Sequence, residues 1–142
     1  MNLTRRSAFK VAGGVASVAL VPVAFSRVAS AAMEDAIAAF TGGAEATDGG
    51  GLTITAPEIA ENGNTVPIGV SAEGATDILI LADGNPSPGV ATFHFDKLAA
   101  PEASTRIRLA KTQNVIAVAR MSDGSYVRAA SEVKVTIGGC GG

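Results

Sequence analysis

From Leu52 to the end of the chain, hydrophobic and polar residues alternate with the period of two that is typical of half-buried β-strands. Turn-forming segments at 61–64, 83–89 and 122–124 separate several of these runs. Two packed antiparallel sheets bury such alternating faces, whereas a parallel α/β fold would need helices between the strands. The pattern predicts an all-β fold, an immunoglobulin-like antiparallel β-sandwich over residues 52–137. Its seven or eight short strands are predicted at 52–56, 65–71, 76–82, 90–95, 104–110, 113–121, 125–130 and 132–137.

The segment before the strands has a helical period instead. In MEDAIAAF, residues 33–40, the spacing places Met33, Ile37 and Phe40 on one face, with Glu34 and Asp35 near the expected helix start, where acids suit the helix dipole. The glycine-rich stretch 41–51 that follows is predicted to be a flexible connector. Residues 32–51 are therefore expected to form a short N-terminal helix and a linker.

The N-terminus has the organisation of an export signal. Basic residues precede a mildly apolar run over 11–24, and Ala29-Ser30-Ala31 provides a cleavage site of the A-x-A kind, so residues 1–31 are predicted to be a signal peptide. A membrane anchor is the alternative, but the run is shorter than the roughly 20 apolar residues that span a bilayer, and glycine and alanine dilute it.

The stretch TRRSAFK, residues 4–10, resembles the twin-arginine export motif, although Ala8 stands where phenylalanine is usual. It predicts a periplasmic protein that is exported already folded. Folded export is needed when a cofactor or a partner is bound beforehand, and because no cofactor motif is found, a partner is the expected reason.

Composition and charge exclude several classes of function. The chain of 142 residues is 47% hydrophobic and 17% charged, which fits one globular domain. From Ala32 onward, seven basic residues face thirteen acidic ones. A segment with this balance is poorly suited to bind nucleic acid or an anionic membrane through its net field, so neither is expected as a partner.

The sequence offers few groups for catalysis. His94 is the single histidine and the chain has a single cysteine, so no metal site of ordinary ligand count is expected, and His94 is predicted to be a surface or structural residue. The glycines at 49–51 lack the context of a phosphate loop. Arg106 and Arg108 alternate with apolar residues and are expected on a solvated sheet face, with contact to an anion or a partner as the alternative.

The single cysteine, Cys140, lies in the C-terminal sequence IGGCGG. It is three residues beyond Ile137, a distance of roughly 10 Å when extended, so its thiol could enter a cleft in another protein. An exposed thiol with an ordinary pKa of about 8.5 is accessible but not activated, which favours a carrier served by other enzymes over a self-contained catalyst. No catalytic residue is predicted, and the substrate is expected to attach covalently to Cys140. The carrier arm is predicted over residues 138–142, where the cysteine is surrounded by Gly138, Gly139, Gly141 and Gly142.

Two other interpretations of this ending remain open. An unpaired cysteine in an exported chain could tether a β-sandwich binding module to a partner through a disulfide. A terminal Gly-Gly also ends the ubiquitin-like carriers that hold sulfur as a thiocarboxylate on the position of Gly142. Those proteins are activated by ATP inside the cell and contain a central helix, for which the strand run leaves no room.

The chain resembles the SoxY-type sulfur carriers, which form the SoxYZ heterodimer of thiosulfate-oxidising bacteria. The resemblance covers nearly the whole chain, and its most specific part is the terminal GGCGG. It is carried by the twin-arginine signal, the early helix, APEIAENGNTVPI at 56–68, ADGNP at 82–86, STRIRLAKTQNVIAVA at 104–119 and GGCGG at 138–142.

The resemblance implies a covalent carrier that is not itself an enzyme. A SoxAX-like haem c enzyme would join thiosulfate to Cys140 as a cysteine S-thiosulfonate, and a SoxB-like hydrolase would release sulfate. A SoxCD-like sulfane dehydrogenase would oxidise the remaining sulfur in some organisms. A SoxZ-like subunit would be the permanent partner. Cys140 and its four glycines are the functional residues that carry over, while Asn85, Arg106 and Arg108 match the family pattern as scaffold or partner contacts.

Overall fold

The computed structural model describes residues 24–138, with side chains described from residue 30 onward. It contains two β-sheets packed face to face and one helix on the outside of the larger sheet. The elements are α1 (Ala24–Thr41), β1 (Ala46–Asp48), β2 (Leu52–Thr55), β3 (Ile59–Ala60), β4 (Val66–Ala72), β5 (Ala75–Ala82), β6 (Gly89–His94), β7 (Glu102–Ile107), β8 (Gln113–Met121) and β9 (Tyr126–Val135).

The strand order confirms the predicted immunoglobulin-like β-sandwich. The larger sheet has the order β1-β9-β8-β5-β6, with β3 also paired to β9, and the smaller sheet has the order β2-β4-β7. The long strands pair antiparallel, as predicted. The short strands β1 and β3 differ, because both run parallel to β9.

The main core lies between the two sheets and follows the alternation in the sequence. Alternate residues of β2, β4, β5 and β8 point into it, and the opposite residues of β4 face outward or are only partly buried. Its buried members include Val66, Ile68 and Val70 of β4, Ile78 and Ile80 of β5, Ile107, Leu109, and Val115, Ala117 and Val133 of the last two strands.

Strands β5 and β8 are buried on both faces, which explains their nearly continuous apolar sequences. A second cluster, formed by Leu79, Leu81, Ile116, Val118 and Tyr126, lies on the other side of the large sheet. Met33, Ile37 and Phe40 of α1 pack against it, so the helical face predicted from the sequence is confirmed.

The helix is longer than predicted, since it runs for 18 residues from Ala24. Segment 24–32 is rich in alanine, which favours helix without showing an amphipathic period. In the uncleaved chain Glu34 and Asp35 consequently lie well inside α1 and outside its first turn. No helix in the described range combines the length and the apolar character needed to cross a membrane.

The glycine-rich segment after the helix is not simply a connector. Ala46–Asp48 form β1 and pair with Tyr126–Arg128 of β9, and Asp48 Oδ1 lies 3.3 Å from Arg128 Nε. The sandwich therefore begins before Leu52, contrary to the predicted boundary. The surrounding glycines make the turns around β1 at positive φ, namely Gly42, Gly43, Gly49, Gly50 and Gly51.

Two further differences concern the strand count. The runs predicted at 125–130 and 132–137 form the single strand β9, because the less apolar stretch around Ser131 continues the ladder with β8. The two-residue strand β3 was not predicted, since two residues are too few to show a period. The turn predicted at 122–124 is present between β8 and β9, with Gly124 at positive φ.

A row of polar side chains crosses the helix-bearing face of the large sheet at one end. His94, Asp77, Arg120 and Tyr126 are directly opposite one another on β6, β5, β8 and β9. His94 Nδ1 pairs with Asp77 Oδ1, and Arg120 donates from Nε and Nη2 to the Tyr126 hydroxyl at 3.0 and 2.9 Å. The His94 side chain is 76% exposed, so its prediction as a surface residue is confirmed.

The neighbours of Asp77 in this row shift the pKa of its carboxyl group. Partial burial raises the pKa of its carboxyl, but hydrogen bonds from His94 and Thr76 and the charges of His94 and Arg120 outweigh that effect and hold the pKa below its usual value. A carboxylate with a lowered pKa stabilises the folded state above its unfolded-state pKa, and this contribution is lost as the pH falls through the folded-state pKa.

We predict that Asp77→Asn lowers the free energy of unfolding at neutral pH and that its difference from wild type shrinks as the pH falls below the ordinary aspartate value of 3.8. Urea unfolding at a series of pH values measures this. Asp35→Asn, which removes an exposed helix carboxylate, is the matched control. A difference that stays constant with pH for Asp77→Asn would refute the role assigned to the carboxylate.

Candidate functional site

The chain after β9 is attached to the body of the protein by hydrogen bonds beyond the strand. Thr136 N donates to the carbonyl of Ala60 at 3.1 Å, and its hydroxyl donates to the carbonyl of Glu61 at 2.9 Å. Gly63 N then donates to the carbonyl of Ile137 at 2.7 Å. The backbone is therefore held as far as Ile137, although β9 itself ends at Val135.

Gly138 makes a close backbone contact at the start of the predicted arm. An ideal Cβ at this position would lie 2.3 Å from the carbonyl oxygen of Ala110, well inside van der Waals contact. A residue with a side chain would collide with the Ala110 carbonyl, so the close approach of the two backbones requires glycine at position 138. The sequence analysis gave all four arm glycines the same role, which was to surround Cys140 without side chains. The structure shows that Gly138 also has a steric role.

Asn85 holds the segment against which Gly138 lies. Its Nδ2 donates to the carbonyl of Arg108 at 2.8 Å, and its Oδ1 accepts from Ala110 N at 2.9 Å. The same Oδ1 accepts from Gln113 Nε2 at 2.9 Å, and Gln113 Oε1 accepts from Gly84 N at 2.8 Å. A single side chain thus joins the loop after β5 to the chain between β7 and β8.

A further contact ties this segment to the loop before β4. Leu109 N donates to the carbonyl of Gly63 at 2.8 Å, and the Leu109 side chain is fully buried in the core. We call the three segments 60–63, 108–110 and 136–138 the arm base. They meet at the end of the sandwich opposite the polar row of Asp77, and together they determine where residues beyond 138 leave the body.

The sequence predicted part of this site and missed the rest. Arg106 and Arg108 are exposed while Ile107 and Leu109 are buried, so the predicted division of faces is confirmed. Asn85 was expected from the family resemblance to be a scaffold or partner contact, and its hydrogen bonds to Arg108, Ala110 and Gln113 are of the scaffold kind. The role of Thr136 in the arm base was not predicted. Asn85 is a polar residue within the predicted turn 83–89, which is a local indication of a structural role. The partners of its side chain could not be identified locally, because they lie 23 to 28 positions away in sequence.

The predicted attachment residue lies outside the described residues. Cys140, Gly139, Gly141 and Gly142 all belong to this group, and so does the segment before Ala24 that was predicted as most of the signal peptide. Within the described range, no group of three or more His, Cys, Asp or Glu side chains is placed to hold a metal ion.

We predict that Gly138→Ala disturbs the arm base, because the added methyl group cannot fit beside the Ala110 carbonyl. The expected result is faster amide hydrogen exchange at Gly63, whose hydrogen bond to Ile137 lies next to the clash, and a loss of about 1 kcal/mol of stability. Gly89→Ala is the matched control, since a Cβ there meets nothing within 4 Å. Equal behaviour of the two variants would exclude a steric role for Gly138.

We predict that Asn85→Ala costs roughly 1–3 kcal/mol in the free energy of unfolding, because it leaves partly buried backbone and amide groups of the arm base without their partner. Chemical denaturation measures the loss. Asn64→Ala, at an exposed position in the loop before β4, is the matched control. A loss no larger than that of the control would show that Asn85 does not organise the segment.

The comparisons with known proteins agree on one family. The family model described as sulfur oxidation protein SoxY matches residues 37–140, so the matched region ends at Cys140. The solved structure of the sulfur carrier protein SoxY from Chlorobium limicola f thiosulfatophilum is 40% identical, with a TM-score of 0.70. That match covers 78% of this chain and 98% of the Chlorobium chain. No curated protein matches the chain.

More distant structures share the fold alone. The superoxide reductase (neelaredoxin) from Ignicoccus hospitalis is 20% identical with a TM-score of 0.53, and the match covers 59% of this chain and 79% of that one. A putative superoxide reductase from Thermotoga maritima is 18% identical with a TM-score of 0.51, covering 68% and 89% of the two chains. The family model and the Chlorobium structure, which extend over most of the sandwich, show that this chain belongs to the SoxY family of sulfur oxidation proteins.

Proposed function

We propose that this protein carries sulfur intermediates covalently on Cys140 and presents them to separate enzymes of sulfur oxidation. The observation that carries the proposal is the match to the SoxY family, which extends to Cys140, on a body that ends two residues before it in a firmly held arm base. A rigid body with a reactive group on a short glycine-rich extension suits a substrate that must enter several active sites in turn.

The loading step is an oxidation. The thiol of Cys140 and thiosulfate form a new sulfur–sulfur bond through the sulfane sulfur of thiosulfate, with release of one proton and two electrons. A haem c-type enzyme of the SoxAX kind is the proposed electron acceptor. The product is a cysteine S-thiosulfonate that remains attached to the arm.

The unloading step is a hydrolysis. Water cleaves the bond between the sulfane sulfur and the sulfonate of the adduct, so that sulfate leaves and a persulfide stays on Cys140. A hydrolase of the SoxB kind is the proposed catalyst, and a sulfane dehydrogenase of the SoxCD kind would oxidise the remaining sulfur. In this scheme the carrier contributes attachment and access, while the visiting enzymes contribute the activating groups.

The proposed location and partner follow from the N-terminal sequence and the family. The motif at residues 4–10 supports export to the periplasm by the twin-arginine route, with signal cleavage near Ala31. A SoxZ-like subunit that lacks a signal of its own could be exported with this chain as a folded heterodimer. Joint export of the two subunits would explain why a chain without a cofactor motif uses an export route for folded proteins.

We predict that Cys140→Ser abolishes thiosulfate oxidation in a strain whose only copy of this protein carries the change, because serine cannot form the sulfur–sulfur bond. Oxygen consumption on thiosulfate measures activity, and the thermal unfolding temperature should stay at the wild-type value. Wild-type rates of oxidation in the variant would contradict the carrier function.

Removal of Gly142 provides the matched control at the same end of the chain. A thiol carrier is expected to keep most of its activity without the last glycine, whereas a thiocarboxylate carrier would lose its attachment site.

A disulfide tether has a third signature: a reductant would release a partner chain from the wild-type protein, and no sulfur adduct would form on Cys140.

A further inference from the structure

Asn62 and Gly63 form the single Asn-Gly dipeptide of the chain, and both belong to the arm base. The other asparagines, at positions 2, 64, 85 and 114, precede leucine, threonine, proline and valine. Asparagine is a thermolabile residue, and it deamidates most readily before glycine. Glycine has no Cβ to hinder its backbone nitrogen from reaching the side-chain carbonyl carbon of the preceding asparagine. The dipeptide at 62–63 is therefore the chemically most labile asparagine site of the sequence.

The side chain of Asn62 is accessible, and its carbonyl group is polarised. Asn62 is exposed in the turn between β3 and β4, so water and hydroxide reach its amide. Asn64 N donates a hydrogen bond to Asn62 Oδ1 at 3.0 Å. This bond stabilises the negative charge that develops on the oxygen when a nucleophile attacks the carbonyl carbon. The electrophile of a deamidation reaction is thus already activated in the folded protein.

The nucleophile, in contrast, is restrained. Deamidation uses the nitrogen of Gly63, which must lose its proton and turn toward the Asn62 side chain. Gly63 is buried, its N–H donates to the carbonyl of Ile137 at 2.7 Å, and its carbonyl accepts from Leu109 N at 2.8 Å. The arm base therefore holds the peptide groups on both sides of Gly63. Because hydroxide must also reach this N–H for hydrogen exchange, the local opening that permits exchange also frees the nitrogen for deamidation.

We infer that Asn62 is a deamidation site whose rate is controlled by the closed arm base. In the opened state Gly63 N bonds to the side-chain carbonyl carbon of Asn62, and the side-chain nitrogen leaves as ammonia with the proton of the Gly63 amide. Water then opens the resulting succinimide at either carbonyl and leaves aspartate or isoaspartate. The overall reaction consumes water and releases ammonia, so it needs no oxidant and no cofactor.

The product alters the arm base itself. Either product places a second carboxylate beside Glu61. Isoaspartate also routes the main chain through the former side chain, and the extra methylene group displaces Gly63 N from the carbonyl of Ile137. A deamidated copy therefore holds the chain after β9 less firmly. The inference involves neither Cys140 nor its cargo, so it stands independently of the proposed function.

Incubation of the full-length protein at mildly alkaline pH tests the inference. Peptide mass analysis measures deamidation at position 62, and amide hydrogen exchange measures the opening at Gly63. Thr136→Val keeps the side-chain volume but removes the hydroxyl that donates to the carbonyl of Glu61, next to the Ile137 hydrogen bond. We expect both rates to rise about fivefold, the factor that corresponds to the loss of one hydrogen bond from the closed state. Gly138→Ala, which disturbs the same region by a clash, should also raise both rates.

Thr92→Val is the matched control, because Thr92 is an exposed threonine on β6, at the edge of the large sheet away from β9. Its two rates should stay at the wild-type values. Asn62→Gln should abolish the release of ammonia, since glutamine has to close a larger ring that forms more slowly. Cys140→Ser should deamidate at the wild-type rate, whatever its effect on thiosulfate oxidation.

The inference has two parts that can fail separately. An Asn62 that stays intact while another asparagine deamidates, or that stays intact in every variant, would refute the site. Deamidation that is no faster in Thr136→Val and Gly138→Ala than in the wild-type protein would show that the arm base does not control the reaction. Equal rates in the folded and the urea-unfolded protein would lead to the same conclusion.

Discussion

The structure depends on the burial of β5 and β8 on both of their faces. These central strands separate two apolar clusters, one shared with the small sheet and one covered by α1. Ile78 and Ile80 point to the first cluster, while Leu79 and Leu81 point to the second, so β5 is anchored by buried side chains on both of its faces. The flanking strands β9 and β6, and the loops at both ends, take their positions from this fixed centre.

The arm base is a consequence of that rigidity. The loop after β5 and the chain before β8 emerge from the two most buried strands, and Asn85 and Gln113 join them at that end of the sheet. The chain after β9 is fastened to the same end by Thr136 and Gly63. The proposed carrier arm thus starts from a hydrogen-bonded end of the sandwich, and only the few residues after Gly138 separate the thiol from it.

Charge is also unevenly placed with respect to the arm base. The body is acidic overall, yet the segment between β7 and β8 contains two basic residues, Arg108 and Lys111, and no acid. At the other end of the large sheet, Arg120 is engaged with Tyr126 and Asp77.

How much the sequence could predict depended on whether a feature was local. The bounds of β8 and the buried face of α1 follow from short-range periods and agree with the structure. The start of α1 was missed because an alanine-rich stretch lacks a period, and β1 was missed because three residues between glycines resemble a linker. The arm base joins residues up to 76 positions apart, so Asn85, Thr136 and the steric role of Gly138 could not be read from any local pattern.

The carrier function is tested most directly by intact and peptide mass analysis of the protein isolated from cells that oxidise thiosulfate. The proposed function predicts adducts of thiosulfate and of sulfane sulfur that are confined to the C-terminal peptide with Cys140 and are removed by a reductant. An unmodified Cys140 during active thiosulfate oxidation, or adducts on any other residue, would contradict it.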